Sequence, residues 1–274
     1  MPTKLRDLAP PTARAELGAL LVVAGLFFIA IPLALGAIGL SWDALNHHIY
    51  LGWTAFAPRF DRDFLAASYQ SFQSPYLYWP VYKLYQAGFS GQWAGAILAS
   101  LNLLAVPPLW MLARTCITET SWYGSAMRWL AVALAFTSAV VLSMFDTTAN
   151  DLLAAIPLVW AIALGMAPWD PQRAPWMTPA RLVVLSGLCA GMAVAFKLSN
   201  GPLAILMPLL WVLQGPSLLQ RVRHLLLGGV ATIVGLVLSY GYWGWQLWVH
   251  YGNPIFPFYG HWFAPLAGWL GWQP

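Results

Sequence analysis

The chain has 274 residues, of which 60% are hydrophobic and only 8% are charged. Soluble globular domains carry about 25% charged residues, so this composition excludes an ordinary water-soluble enzyme. It also excludes a disordered chain, which combines few apolar residues with much charge. A mean hydropathy of +0.65 and long uncharged runs instead predict an integral membrane protein. The net charge of +4 is small and favours orientation in a membrane over binding to nucleic acid.

Seven apolar runs predict membrane helices, for which a span needs roughly 20 residues; the run 202–214 is short for a full span. The first, Leu17 to Leu40, is long enough for an uncleaved signal anchor. A large loop, residues 41–91, follows it, and its aromatic-rich part predicts interfacial helices. The six further runs are 92–113, 129–145, 152–168, 180–197, 202–214 and 225–248. The predicted fold is an all-α polytopic bundle of about seven helices, forming a single transmembrane domain over residues 1–274.

The basic residues predict the orientation of this bundle. With the N-terminus in the cytoplasm, nine basic residues fall on the inner side and four on the outer side, as the positive-inside rule requires. Seven spans then place the C-terminus outside, and we expect a multi-pass protein of a bacterial inner membrane. The inner residues are Lys4, Arg6, Arg14, Arg114, Arg128, Arg173, Arg181, Arg221 and Arg223, and the outer ones are Arg59, Arg62, Lys83 and Lys197.

Acidic and histidine side chains collect on the predicted outer side. Asp43 follows the first helix, and in a helical segment it would share a face with His47 at i+4. A carboxylate at a membrane surface can act as a general base on an acceptor hydroxyl. Two alternatives remain: Asp43 caps a helix, although Ser41 is the better N-cap, or Asp43 and His47 hold a divalent metal.

Further acidic residues lie in the first outer loop and in a later outer turn. Asp61 and Asp63 alternate with arginines, which predicts local ion pairs or a second acidic cluster that supports substrate or metal. Asp146 and Asp151 bracket a turn between two predicted helices, where Asp151 would cap the next helix. We expect this turn to lie near Asp43 on the same membrane face.

Lys197 ends the fifth predicted helix on the outer side. It either complements the helix dipole and snorkels to the surface, or it meets a lipid phosphate at headgroup depth. Asn200 and Gly201 predict a turn, and Pro202 can begin the next helix. We expect Asp43, the 146–151 turn and Lys197 to line one outward cavity. The segment around Asn253 predicts either an aromatic interface belt or a lid over a lipid or sugar.

Taken together, these segments resemble the GT-C superfamily of polytopic glycosyltransferases, which use polyprenyl-phosphate-linked sugars on the outer membrane face. The resemblance spans about residues 41–259 and concerns the shared N-terminal seven-helix module, beyond which relatives usually continue. It rests first on an acidic "D-x-x-x-H-H" opening of the first outer loop, the loop motifs that follow it and an acidic outer turn. It rests also on a "G-x-K-x-[ST]-N" helix end, in which Ala195 stands where Gly is usual, and on a "G-N-P-x-F-P" segment. These are Asp43-Ala-Leu-Asn-His-His48, Asp63-Phe-Leu65, Gln70-Ser-Phe-Gln-Ser-Pro75, Asp146 with Asp151, Ala195-Phe-Lys-Leu-Ser-Asn200 and Gly252-Asn-Pro-Ile-Phe-Pro257.

The resemblance implies an inverting transfer from a polyprenyl-phosphate-linked sugar to a glycan, lipid or protein acceptor on the outer face. Asp43 would be the catalytic base, and Lys197 would hold the donor phosphate. The expected substrate-binding residues are His47, His48, Asp63, Asp146, Asp151, Lys197, Asn200 and Asn253. No cofactor is implied, and the divalent metal stays an alternative. The competing hypothesis is a non-catalytic lipid-binding or transport protein, or the partner subunit of a larger, split glycosyltransferase.

Overall fold

The computed structural model describes residues 10–63 and 65–272 and shows an all-α chain. Lys4 and Arg6 of the charge count, and Phe64 of the outer-loop motif, lie outside these residues. A four-residue extended segment, β1, spans Ala66–Tyr69. The helices are α1 Ala13–Leu35, α2 Ile49–Thr54, α3 Trp79–Gln86, α4 Gly91–Ser100, α5 Val106–Cys116, α6 Trp122–Phe136, α7 Ala139–Leu142, α8 Asp151–Met166, α9 Pro179–Phe196, α10 Gly201–Ala204, α11 Met207–Leu213, α12 Leu218–Tyr251 and α13 Gly260–Trp269.

Five helical segments within the described residues are long and apolar enough to cross a membrane. They are residues 13–35, 91–116, 151–169, 179–196 and 218–251. The second joins α4 to α5 through a 3-10 turn, and the third is α8 with a 3-10 extension. The prediction of an all-α, multi-pass membrane protein is confirmed at this level.

Two of the seven predicted spans are not long helices. The run 129–145 is divided, because α6 ends at Phe136 and Ser138 accepts a hydrogen bond from the backbone of Val141 to begin α7. The run 202–214 is divided into α10 and α11, each of which has a proline in its first turn. Since proline has no N–H and favours the first helical turn, it begins a helix there and ends the preceding one.

Helix α9 lies between α8 and α12 at the centre of the bundle. Glycines make the contact with α12 close: a methyl group at Gly191 would overlap the backbone carbonyl of Thr232, and one at Gly235 would overlap that of Leu188. Small residues at such positions let two membrane helices pack backbone against backbone. This contact fixes the end of α9, where Lys197 lies.

A buried ion pair joins α1, α5 and α6 at the end of the bundle where α1 begins. Arg128 donates to both carboxylate oxygens of Glu16 at 2.7 and 2.6 Å. The same carboxylate accepts from Trp110 Nε1 and Ser125 Oγ, and Arg128 also donates to the carbonyl of Glu119. Only 2% of the Glu16 surface and 6% of that of Arg128 is exposed. Each charge is therefore compensated, which is the condition under which charges are buried.

The loop of residues 41–91, which the sequence predicts to lie on the outer side, is attached to the opposite end of the bundle. Trp243 Nε1 on α12 donates to the carbonyl of Phe72 at 2.9 Å, and both side chains pack with Phe60, Tyr251 and Phe256 in an aromatic cluster. A parallel β-bridge between Gly39 and Thr147 joins the start of the loop to the 146–151 turn. These attachments hold the outer loop, the 146–151 turn and the end of α12 together.

Candidate functional site

Asp43 lies at the start of a one-turn π-helix, Ala44–His48, that leads into α2. Ser41 Oγ accepts the backbone N–H of Ala44 at 3.1 Å, so serine supplies the cap, as the sequence indicated. The Asp43 side chain makes no capping hydrogen bond and is 54% exposed. Its Oδ1 lies 3.7 Å from Nδ1 of His47. The carboxylate is therefore not used to hold the helix end and is accessible at the protein surface.

Both histidines that follow Asp43 are buried and pack against Tyr78. The ring of His48 stacks on that of Tyr78, with centroids 4.7 Å apart and an interplanar angle of 21°. The ring of His47 packs edge-on against both, at 4.3 Å from His48 and 5.8 Å from Tyr78. His48 Nδ1 is 2.7 Å from Thr148 Oγ1, which joins the first outer loop to the 146–151 turn.

Lys197 reaches the same end of the bundle from α9. Helix α9 ends at Phe196, and Lys197 adopts an extended backbone. Its ammonium group forms an ion pair with Asp151, the first residue of α8. Asp151 was expected to cap α8, but Asn150 occupies the cap position and Asp151 binds Lys197 instead. Asn200 donates to the carbonyls of Ala154 and Ala193, each at 2.9 Å, and so ties α8 to α9.

The charges of this cluster act on the buried rings. Burial, and to a lesser extent the neighbouring His47, lowers the pKa of His48 from 6.5 to about 4. Burial also lowers the pKa of His47, against the Asp43 carboxylate, which raises it, while Lys197 lowers it. Burial raises the pKa of Tyr78 above its ordinary value of 10. At neutral pH the packed rings of His47, His48 and Tyr78 are therefore uncharged. They lie beside the exposed Asp43 carboxylate and the Lys197–Asp151 pair.

The depressed pKa of His48 predicts that acid destabilises the fold. Between about pH 6.5 and pH 4 the unfolded chain binds a proton that folded His48 does not, so stability falls as the pH falls through that range. The full effect of a change from 6.5 to about 4 is on the order of 3 kcal/mol. Unfolding followed by tryptophan fluorescence in detergent at pH 4 and pH 7 measures it. Most of the pH dependence should disappear in His48→Gln and persist in His261→Gln, which changes an exposed residue; equal dependence in both variants would contradict this assignment.

The other predicted site residues lie in contacts of their own. Asp63 binds Arg59 through two hydrogen bonds, at 2.6 and 3.1 Å, and accepts from Tyr50 at 3.2 Å. The backbone carbonyl of Asp146 accepts from Gly39. Asn253 closes its own loop, because it donates to the carbonyl of Phe258 at 2.7 Å and accepts from the N–H of Ile255 at 3.0 Å. The structure thus brings Asp43, His47, His48, Asp151 and Lys197 together. Asp63, Asp146 and Asn253 form hydrogen bonds with other residues instead.

Two members of the cluster, Tyr78 and Thr148, carried no recognised signal in the sequence. Tyr78 lies in an aromatic-rich stretch that predicted only an interface. Thr148 lies inside the turn that was selected for its aspartates. Their roles depend on contacts with His48 across 30 and 100 positions of the chain, and such contacts have no local pattern.

The geometry offers little to a metal ion. Among residues 10–63 and 65–272, no group of three or more histidine, cysteine, aspartate or glutamate side chains is arranged to hold one. Asp43 and His47 supply two ligands at most. The alternative of a metal held by this pair therefore gains no support from the described side chains.

Two cavities lie near the cluster without including its charges. One, of about 20 Å³, lies beneath the 146–151 turn against α4 and has room for about one water molecule. The other is a surface groove of about 330 Å³ between Trp53 and Arg62. The sequence predicts that Asp43 and Lys197 line one outward cavity, but they line neither of these two. The Asp43 and Lys197 side chains are partly exposed, so a ligand that contacts them would approach from the open surface of the bundle.

Comparison of the chain with protein-family models, with curated proteins and with solved structures found no match in any of the three.

Proposed function

We propose that the protein is a membrane glycosyltransferase of the GT-C type. It moves a sugar from a polyprenyl-phosphate-linked donor to an acceptor on the outer face of the membrane. In this proposal Asp43 removes the proton from the acceptor hydroxyl, and Lys197 binds the donor phosphate. The polyprenyl phosphate leaves as the new glycosidic bond forms, and a direct displacement inverts the anomeric centre.

One arrangement carries the proposal: the exposed Asp43 carboxylate lies 3.7 Å from the buried ring of His47, and the Lys197–Asp151 ion pair lies at the same end of the bundle. Both charges act on the His47 ring, since Asp43 raises its pKa and Lys197 lowers it. General-base catalysis requires a carboxylate that can reach the acceptor, and a leaving phosphate requires a cation that neutralises its charge. The Asp43 carboxylate and the Lys197 ammonium group, which would meet these two requirements, both act electrostatically on His47.

Lys197 must exchange its partner when the donor binds. In the structure its charge is balanced by Asp151, and both side chains are partly exposed, 35% for Lys197 and 48% for Asp151. An exposed ion pair contributes at most about 1 kcal/mol. Replacing the carboxylate of Asp151 by a lipid phosphate is therefore inexpensive, and the ammonium group is available to the donor.

The orientation of the chain is part of the proposal. In this proposal the chain crosses the membrane seven times. The five long helices form five of the crossings, and the shorter segments 122–142 and 198–213 form the other two. Support comes from the basic residues of the described chain. Near the Glu16–Arg128 pair, the loops and helix ends carry Arg14, Arg114, Arg173, Arg181, Arg221 and Arg223. By the positive-inside rule this end faces the cytoplasm, and Asp43 and Lys197 face outward.

Native mass spectrometry in detergent tests the donor site. The wild-type protein is offered polyprenyl phosphate and ordinary phospholipids, and we expect it to retain the polyprenyl phosphate selectively. Lys197→Ala should weaken that binding at least about tenfold, because it removes the cation that meets the phosphate. Asp151→Asn should strengthen it, because the competing carboxylate is gone.

Lys83→Ala is the matched control. Lys83 is also an outer-end lysine, but it lies over the rings of Phe56 and Trp79 and donates to Gln86. It should bind the lipid as the wild-type protein does. Equal retention of all lipids by all four proteins would overturn the donor assignment and favour a lipid-binding or partner subunit.

A further inference from the structure

His47 is a buried titratable group to which the transfer reaction assigns no chemical task. Its side chain is 4% exposed, and its Nδ1 atom has no hydrogen-bond partner among the described residues. A buried polar nitrogen without a hydrogen-bond partner is unfavourable to the folded state. The other buried histidine of the segment does not carry this cost, because His48 Nδ1 contacts Thr148.

The carboxylate of Asp43 lies close to His47 Nδ1 without bonding to it. The 3.7 Å between Nδ1 and Oδ1 exceeds hydrogen-bond length. Since the Asp43 side chain is half exposed, a small rotation of its carboxylate closes the gap. The ring of His47, by contrast, is buried and packs against His48 and Tyr78, which restrict its movement. The imidazole is therefore the fixed member of the pair, and the carboxylate is the mobile one.

We propose that His47 is a positioning residue for Asp43. When the acceptor binds, the Nδ1–H of His47 donates to one oxygen of the carboxylate, and the other oxygen faces the acceptor hydroxyl. This inference deepens the proposed function and rests on it for its catalytic part. The proton that Asp43 takes from the acceptor stays on Asp43 until water removes it, so His47 changes neither the reaction nor its balance.

The groups around His47 define what its titration reports. Asp43 and His48 lie on its own segment, and Tyr78 precedes α3. Lys197 follows α9, and Asp151 begins α8 and pairs with Lys197. Of these, the Asp43 carboxylate favours the protonated ring, whereas burial and Lys197 oppose it. Removal of the Asp43 charge therefore lowers the pKa of His47, and removal of the Lys197 charge raises it.

The first test is independent of any transfer activity. The full-length protein, labelled with ¹⁵N-histidine, is titrated in detergent by NMR, and the five histidines are assigned by single glutamine variants. In Asp43→Asn the midpoint of His47 should fall, because the carboxylate that favours the protonated ring is gone, whereas Asp61→Asn should leave it unchanged. An unchanged midpoint in Asp43→Asn would overturn the proposal, even if the protein transfers sugar.

The second test separates positioning from packing through three substitutions of His47. Asparagine can place an N–H donor near the position of Nδ1, glutamine places one near Nε2 instead, and phenylalanine keeps the ring without any donor. We expect His47→Phe and His47→Gln to lower kcat about 100-fold with little change in KM, and His47→Asn to retain most of it. Equal kcat in all three folded variants would contradict the positioning role. If the wild-type protein transfers no sugar, the proposed function fails, and the NMR coupling still decides whether His47 and Asp43 form a pair.

Discussion

Asp43→Asn should reduce sugar transfer by about 10³-fold or more while the protein remains folded. A carboxamide cannot take the proton of the acceptor hydroxyl, and general-base catalysis contributes about 10²–10⁴-fold. The fold should tolerate the change, because Asp43 is half exposed and makes no capping hydrogen bond. The measurement is the release of polyprenyl phosphate from lipid-linked sugars by protein reconstituted in liposomes, with thermal unfolding followed in parallel.

Asp61→Asn is the control for that experiment. Asp61 is an exposed carboxylate of the same outer loop, 65% exposed and 3.4 Å from Arg62. Its removal should leave transfer within about twofold, since exposed ion pairs contribute little. Normal turnover by Asp43→Asn would show that this carboxylate is not the base, and equal losses in the two variants would indicate a general effect of loop charge.

Arg128→Met should destabilise the protein by about 3–5 kcal/mol, the usual cost of removing one partner of a buried ion pair. Glu16 is 2% exposed and would keep only Trp110 and Ser125 as donors. Its charge would then lie uncompensated at the junction of α1, α5 and α6. The free energy of unfolding in mixed micelles, measured by titration with a denaturing detergent, gives the effect.

A second substitution distinguishes loss of charge balance from loss of packing. Glu16→Gln combined with Arg128→Met removes the uncompensated charge and keeps an acceptor for Trp110. The double variant should therefore recover about 1–2 kcal/mol relative to Arg128→Met alone. Arg62→Met, which opens an exposed pair, should cost less than about 1 kcal/mol. If the double variant is less stable than Arg128→Met, the charge-balance explanation is wrong.

Composition and hydropathy were sufficient to predict the class of fold. An apolar run predicts a helix because the bilayer leaves the backbone no other way to satisfy its hydrogen bonds. The same signal could not locate the interruption at Thr137 and Ser138, where the capping hydroxyl of Ser138 competes with an otherwise apolar run. Nor did it reveal the pair of Glu16 and Arg128, since the two residues are 112 positions apart and only the packed bundle joins them.

The site was predictable where one local segment carries the chemistry. The spacing of Asp43 and His47 placed them on one side of a helical turn, and the helix end at Lys197 followed from the turn residues after it. The sequence could not show that Lys197 binds Asp151, or that the side-chain amides of Asn200 and Asn253 donate hydrogen bonds to backbone carbonyls. Those hydrogen bonds depend on how α8, α9 and the C-terminal loop pack, which no local pattern encodes.

The most direct test of the account is a cryo-electron microscopy structure of the protein, enlarged by a bound antibody fragment, with a polyprenyl-phosphate sugar. The account predicts that the lipid phosphate replaces Asp151 as the partner of Lys197, with the sugar on the side of Asp43 and the His47 Nδ1–Asp43 distance reduced below 3.2 Å. A lipid bound elsewhere, with Lys197 still paired to Asp151, would contradict it.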